Sequence, residues 1–222
     1  MAQINNHEFY GLDTAYVEKH KELFDFFESQ NLDVEINDDF IELKNILTSK
    51  DKDDYAYDFD PAFETYLDKA TGFVLYLRYN NEIVATYAAK KLSLPTFIKE
   101  MKLIYPGNYE TIDEFPGQEA YSSCQWVSKE HRGKKWGRVL DHLKKNICFD
   151  LMKCDTNFAI HKSDLRDYHV NHLAYSNNKK LAVIPNGDVG GAGEVIDKEY
   201  WIAYSSNTEW ADKQSEVKTL YT

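Results

Sequence analysis

Between residues 136 and 152 the apolar side chains Trp136, Val139, Leu140, Leu143, Ile147 and Leu151 recur at i, i+3, i+4 and i+7. That spacing predicts the strongest amphipathic helix of the chain. Val17, Leu23, Phe24 and Phe27 fall near the same period over 14–29, with Asp13 or Thr14 as the cap. Segments 72–79 and 82–92 are rich in β-branched, aromatic and aliphatic residues and meet at Asn80-Asn81, which predicts a β-hairpin. Segments 120–127, 157–160, 181–184 and 200–204 read as strands. A short element covers 40–47, and a short helix covers 61–69, with Asp60 as cap and Pro61 at its first position. Segments 95–105 and 170 to 178 or 180 read as helices. Pro106-Gly107 and Pro116-Gly117 bracket a loop, and 186–193 is a second loop. This order of elements implies an α/β chain of the α+β type, a mixed sheet flanked by helices. The polar tail after Tyr204 stays open between helix, strand arm and disorder.

Composition narrows the function classes. The 222 residues suit one sizeable domain, or one domain with an N-terminal arm. The 43% hydrophobic content, with 16 Tyr and 12 Phe, calls for a packed core. No apolar run approaches the ~20 residues of a membrane span, and MAQINNHEFYG is not a secretory leader. Three cysteines, Cys124, Cys148 and Cys154, cannot all pair within one chain and lack metal-ligand spacing, so free thiols in a reducing cytoplasm are expected. The formal net charge of −11 disfavours broad nucleic-acid binding. It suits a cationic acceptor such as an amine, and it equally suits plain solubility. Residues 51–54 read as a solvated acidic loop.

The chemistry concentrates in Gln125-Trp126-Val127-Ser128-Lys129-Glu130-His131-Arg132-Gly133-Lys134-Lys135-Trp136-Gly137-Arg138-Val139-Leu140. A strand ends near Val127, a turn follows, and the long helix starts at Lys135 or Trp136. Helix N-termini carry unpaired N–H groups and partial positive charge, so anions bind there. His131, Arg132, Lys134, Lys135 and Arg138 crowd this end, where cations are disfavoured by up to ~1 kcal/mol each, so a bound anion would relieve the cluster. Gly133 and Gly137 let backbone approach a phosphate. A basic loop with glycines for turning is the plainer alternative.

VSKEHRGKKWGRVL resembles the coenzyme A loop of the GNAT superfamily of N-acetyltransferases, whose motif reads Arg or Gln, two residues, Gly, any residue, then Gly or Ala. Arg132 fits the first position and Gly137 the last; Lys135 stands where the family has its central Gly. The resemblance spans about 72–204. It implies a GNAT-like core over 71–222 and a helical arm over 1–70 packed on it. It further implies that backbone amides across Gly133, Lys134, Lys135, Trp136, Gly137 and Arg138 hold the pyrophosphate of acetyl-CoA. Trp126 and Val127 would pair with the pantetheine arm as an added strand, and Asn171 would join the cofactor contacts. The implied reaction is direct transfer of acetyl from acetyl-CoA to a small-molecule or peptide amine in a ternary complex, without a metal, nucleic acid or membrane. The oligomeric state is not legible.

Acyl transfer needs a proton acceptor for the amine, a donor to the carbonyl oxygen and a proton for the leaving thiolate. In the family a Tyr after the splayed strand often serves the thiolate. One register matches Asn171 and Ala174 and sets Asn178 at the Tyr position; the other sets Tyr175 there. Tyr175 is the candidate acid, with core packing as the alternative. Glu119, which shares a strand face with Tyr121 and Ser123, is the candidate base. His161 and His169 are rival bases, the latter paired with His172 at a spacing that lacks a third metal ligand. Cys124 reads as a buried thiol. Further alternatives are a longer acyl donor, a non-catalytic acyl-CoA-binding module and an unrelated phosphate-binding domain.

Overall fold

The computed structural model describes residues 12–49, 57–189 and 195–218. In chain order these form α1 (Thr14–Lys19), α2 (Lys21–Ser29), β1 (Leu32–Asn37), α3 (Phe40–Ser49), β2 (Gly72–Tyr79), β3 (Glu82–Lys91), α4 (Leu94–Ile104), β4 (Asn108–Tyr109), β5 (Glu119–Val127), α5 (Trp136–Asn146), β6 (Thr156–Lys162), α6 (Arg166–Asn171), β7 (Asn177–Val189), β8 (Val195–Ser206) and α7 (Asn207–Lys218). The strands make one eight-stranded sheet in the order β1-β2-β3-β5-β6-β8-β7-β4. β5 and β6 run parallel with α5 as their crossover, and the other neighbours pair antiparallel. The mixed sheet flanked by helices is the architecture that the order of elements predicts.

Alternation along β2 shows how the core is divided. Phe73, Leu75 and Leu77 enter the cluster that also holds Phe27, Val34, Trp136, Val139 and Leu143. Val74 and Tyr76 point the other way, against Leu43 of α3 and Trp126. A third cluster packs Phe97 of α4 on Tyr121, Phe158 and Ile202. Each fully buried side chain of this size contributes about 1.5–3 kcal/mol. The hairpin turn follows the sequence closely: Asn80 and Asn81 have φ of 51° and 66°, the left-handed pair of a type I′ turn.

The structure corrects four elements. The 14–29 helix breaks into α1 and α2 at His20, whose ring is held by Asp150 at 2.8 Å and Asn146 at 3.2 Å. Segment 61–69 is a run of turns rather than a helix. Glu100 of α4 takes the amides of Glu64 and Thr65, and the Leu67 amide bonds Asp58 O at 2.8 Å, so the donors a helix would use are committed elsewhere. The first 70 residues are not only helical: β1 pairs along β2 from Leu32↔Tyr79 to Asn37↔Val74. The helix expected from 170 onward ends at Asn171, and β7 starts at Asn177 because it completes a ladder with β8. The acidic loop at 51–54 lies outside the described residues. No helix among them is long and apolar enough to cross a membrane.

Candidate active site between β5 and β6

A β-bulge builds the site. On β3, Thr86 pairs with Trp126 and Ala88 with Ser123, so Tyr87 alone opposes Cys124 and Gln125. Cys124 takes φ 59°, and its carbonyl accepts from Thr86 Oγ1 at 2.9 Å. The extra residue inverts the alternation of β5. Tyr121 and Ser123 share a face before the bulge; beyond it Trp126 keeps that face while Val127 turns to the α5 side. β6 accompanies β5 only from Glu119↔Thr156 to Ser122↔Ala159. Past Ser122 the two strands part, and two clefts that share Gln125 and Leu165 lie along the opening.

The wider cleft, about 610 Å³, is lined by Trp126, Val127, Arg132, Gly133, Lys135 and Arg138, with Tyr168 and His172 opposite. Trp136 and Gly137 of α5 also line it. A 3-10 turn at Lys129–His131 follows β5, with Ser128 Oγ bonded to His131 Nδ1 at 2.6 Å. His131 stacks on the buried Trp136 with ring centres 4.9 Å apart, and Lys134 Nζ lies 4.5 Å over the same indole. Arg132 and Lys135 remain exposed, and Arg138 Nε bonds the His172 carbonyl at 3.0 Å. Lys135 is the N-cap of α5 with φ 66°. The left-handed backbone explains why a glycine suits this position in the family motif. Around Gly133, φ 89°, the space for a Cβ is open. First-turn amides of an 11-residue helix, three cations and an open glycine match the donor set a pyrophosphate needs.

The narrower cleft, about 340 Å³, runs under α4 and is lined by Tyr57, Tyr87, Tyr105, Tyr121 and Tyr200, together with Ser122, Ser123, His161 and His169. His161 and His169 stack at 4.2 Å. Burial, then the neighbouring His161, holds the His169 imidazole down to about 3. Burial likewise lowers His161, which bonds the Lys162 carbonyl at 2.8 Å and Asn178 at 3.1 Å. Tyr57 and Tyr121 join their hydroxyls at 2.9 Å, and Ser123 Oγ bonds the buried Asp58 Oδ2.

Of the residues singled out in the sequence, Trp126, Val127, Arg132, Gly133, Lys135, Trp136, Gly137 and Arg138 converge on one cleft. Lys134 stands beside it over the Trp136 ring. Asn171 is exposed at the end of α6 and lines neither cleft. Tyr175 is fully buried in the α6–β7 connection, its hydroxyl bonded to Lys144 Nζ at 3.0 Å and Asn157 Oδ1 at 3.3 Å. It belongs to an interior cluster in which Asp141 pairs with Lys144 at 3.0 Å and Lys145 at 2.9 Å. Glu119 accepts the Leu94 amide at 2.5 Å and so caps α4, two residues short of the cleft. Burial raises its carboxyl. Neither Tyr175 nor Glu119 lines a cleft. Cys124 is a buried thiol raised well above its ordinary value by burial. Among the described residues no group of three or more His, Cys, Asp and Glu gathers as a metal site.

Two residues were missed. Tyr168 of α6 faces the wide cleft with its hydroxyl 3.5 Å from Gln125 Nε2, at the seam of the two clefts. Its position three residues before Asn171 carried no motif signal because the helix itself was misplaced. Asp58 comes from a segment to which the sequence pattern assigns no element, and nothing local reveals that it packs on Ser123.

No family model matches the chain, and no curated protein does. Solved structures similar to it include mutant forms of the spermidine/spermine N-acetyltransferase SpeG from Vibrio cholerae, at 9% identity and TM-score 0.46 over 82% of this chain and 99% of that one. A probable acetyltransferase from Staphylococcus epidermidis is similar at 15% identity and TM-score 0.44 over 79% and 99%. FdhC, a nucleotide-linked sugar GNAT in its apo form, is similar at 8% identity and TM-score 0.42 over 81% and 74%.

Proposed function

We propose that this chain is a GNAT-type N-acetyltransferase that moves acetyl from acetyl-CoA to an amine by direct transfer in a ternary complex. The observation that carries the reading is the opening of β5 from β6 beyond Ser122, with a basic, glycine-bearing helix N-terminus at one side and a tyrosine-lined cleft at the other. Arg132, Lys135 and Arg138 would hold the pyrophosphate, together with amides of the first turn of α5. The strand past the bulge would pair with the pantetheine arm. The thioester supplies the activated acyl group. The narrow cleft would take the amine, a small molecule or a peptide side chain, its tyrosine faces suiting an ammonium. Tyr168, at the seam, is the hydroxyl best placed to protonate the leaving thiolate. Three reduced, buried cysteines suit a reducing cytoplasm.

The test is titration of acetyl-CoA against Trp126 and Trp136 fluorescence, followed by thioester turnover with spermidine, a lysine peptide, an aminoglycoside and free amino acids. Saturation at micromolar concentration, far weaker ADP binding and a silent Gly137→Glu variant support the loop assignment; turnover with one amine completes it. Binding without turnover marks a non-catalytic module, and preference for a longer acyl-CoA marks a different donor. Absence of binding up to millimolar concentration removes the acyltransferase reading.

A further inference from the structure

Asp58 is 0% exposed, and its Oδ1 has no hydrogen-bond partner among the described residues. Its Oδ2 accepts from Ser123 Oγ and faces the Cys124 thiol at 3.7 Å. Ser123 itself lines the narrow cleft, and its hydroxyl also meets Tyr121, which bonds Tyr57. A carboxyl is costly to keep charged in such surroundings, so a buried one tied to the cleft-lining Ser123 hydroxyl and Cys124 thiol is a proton acceptor with an outlet. We propose that Asp58, acting through Ser123, accepts the proton that the acceptor amine sheds before attack, making Ser123 the substrate-side group and Asp58 the positioning residue behind it. This rests on the acyl-transfer reading above.

The groups around Asp58 set its affinity for the proton. Burial raises it to about 7; hydrogen bonds from Ser123 and Cys124 and the charge of Lys90 on β3 pull it down, and Glu100 on α4 pushes it up. Tyr57 and Tyr121 complete the surroundings, both held protonated by burial. Lys90 is itself tied to the Tyr66 carbonyl and to Asp68 at 3.1 Å, and Glu100 to the Glu64 and Thr65 amides. A carboxyl that titrates near neutrality is matched to general-base work at the pH of a cell.

The amine arrives as an ammonium and loses two protons on the way to an amide. The first passes to Ser123 Oγ while the serine proton moves to Asp58 Oδ2. The nitrogen lone pair forms the C–N bond to the thioester carbonyl carbon, the C–S bond breaks, and the second proton ends on the thiolate. Asp58 then returns its proton to water through Ser123.

The experiment uses the full chain with Asp carboxyl carbons labelled with 13C, beside Asp58→Asn and Ser123→Ala. The resonance missing from Asp58→Asn should titrate near neutrality in wild type, and higher in Ser123→Ala, which lacks one lowering hydrogen bond. With the amine turned over fastest in the screen above, both variants should lose about 10²–10⁴-fold in kcat, keep KM for acetyl-CoA, and lose the acid limb of the kcat–pH profile. Should Asp58→Asn fail to fold by near-UV circular dichroism, Ser123→Ala carries the test, since it keeps the carboxyl and breaks only the relay. A carboxyl titrating in the ordinary range, or undiminished kcat in a folded variant, overturns the assignment alone. A wild-type chain that turns over no amine overturns the transfer reading and this assignment together.

Discussion

Gly137 lies against Val127 so closely that a Cβ on the glycine would come within 2.7 Å of Val127 Cγ2. The bulge on β5 causes this approach by turning Val127 toward α5. Replacing Gly137 with Ala would ordinarily strengthen a helix by about 0.5–1 kcal/mol, but overpacking costs about 1–3 kcal/mol. Gly137→Ala should therefore destabilise the chain by roughly 1 kcal/mol, read as a lower urea midpoint, and weaken acetyl-CoA binding by moving the first turn of α5.

Lys135 shows the opposite sign. Its φ of 66° costs a side-chain-bearing residue about 1–2 kcal/mol, against about 0.4–1 kcal/mol for the greater freedom of glycine in the unfolded chain. Lys135→Gly should raise the urea midpoint by the equivalent of about 0.5 kcal/mol. It should also reduce the salt dependence of acetyl-CoA binding, because one cation leaves the cleft.

Tyr168 and Tyr175 differ in what their hydroxyls meet. Tyr168→Phe removes the hydroxyl at the seam of the clefts and should lower kcat about 10- to 100-fold with little change in stability. Tyr175→Phe strips buried hydrogen bonds to Lys144 and Asn157, which should cost about 1–3 kcal/mol of stability and leave kcat within about twofold. Equal kcat for wild type and Tyr168→Phe would remove Tyr168 from the mechanism.

Lys145 gives stability a slope on the alkaline side. Burial holds its ammonium down to about 7, with Asp141 opposing and Lys144 adding to the shift. The unfolded chain therefore binds a proton that the folded one has released, and stability rises with pH from about 7 toward 10.5, by at most ~1.4 kcal/mol per unit. Cys148 and Cys154, held up by burial, work against this above 9.0. Urea titrations between roughly pH 7 and 8.5 should show the rise, and Lys145→Met should flatten it.

His169 acts on the acid side. Its folded value of about 3 lies below the ordinary 6.5, so the unfolded chain takes up the extra proton between them and stability falls as pH falls. Asp58, raised to about 7 from 3.8, contributes the reverse sign over much of that range. His169→Phe, which keeps a ring against His161, should make the chain more resistant to urea at about pH 4.5 relative to neutrality. A steeper acid loss in that variant would contradict the neutral, buried His169.

Much of the fold was legible because its signals are local. Asn80-Asn81 joins two apolar runs with residues that tolerate left-handed backbone, and the hairpin forms there. The residues that line the wide cleft from Trp126 to Arg138 sit within thirteen positions of one another, so one strand end and one helix start bring them together. The helix through Trp136, Leu140 and Leu143 was set by its period. Segment 61–69 misled because its amides are taken by Glu100, a residue of another helix, and the 170–180 segment misled because β8 recruits its second half into the sheet.

By itself, then, the sequence determined the class of fold, the hairpin, the long helix and the basic loop at its start, each written in period, turn chemistry or charge over short range. Only the tertiary structure decided that Tyr168 rather than Tyr175 lines a cleft, and that Asp58 rather than Glu119 stands behind a cleft-lining hydroxyl. Tyr175 sinks onto Lys144 and Asn157 while Tyr168 surfaces; Glu119 caps α4 while Asp58 settles behind Ser123, 65 positions away. A side chain's burial depends on elements distant in sequence, and a one-residue bulge opposite Tyr87 reverses which faces of β5 they meet.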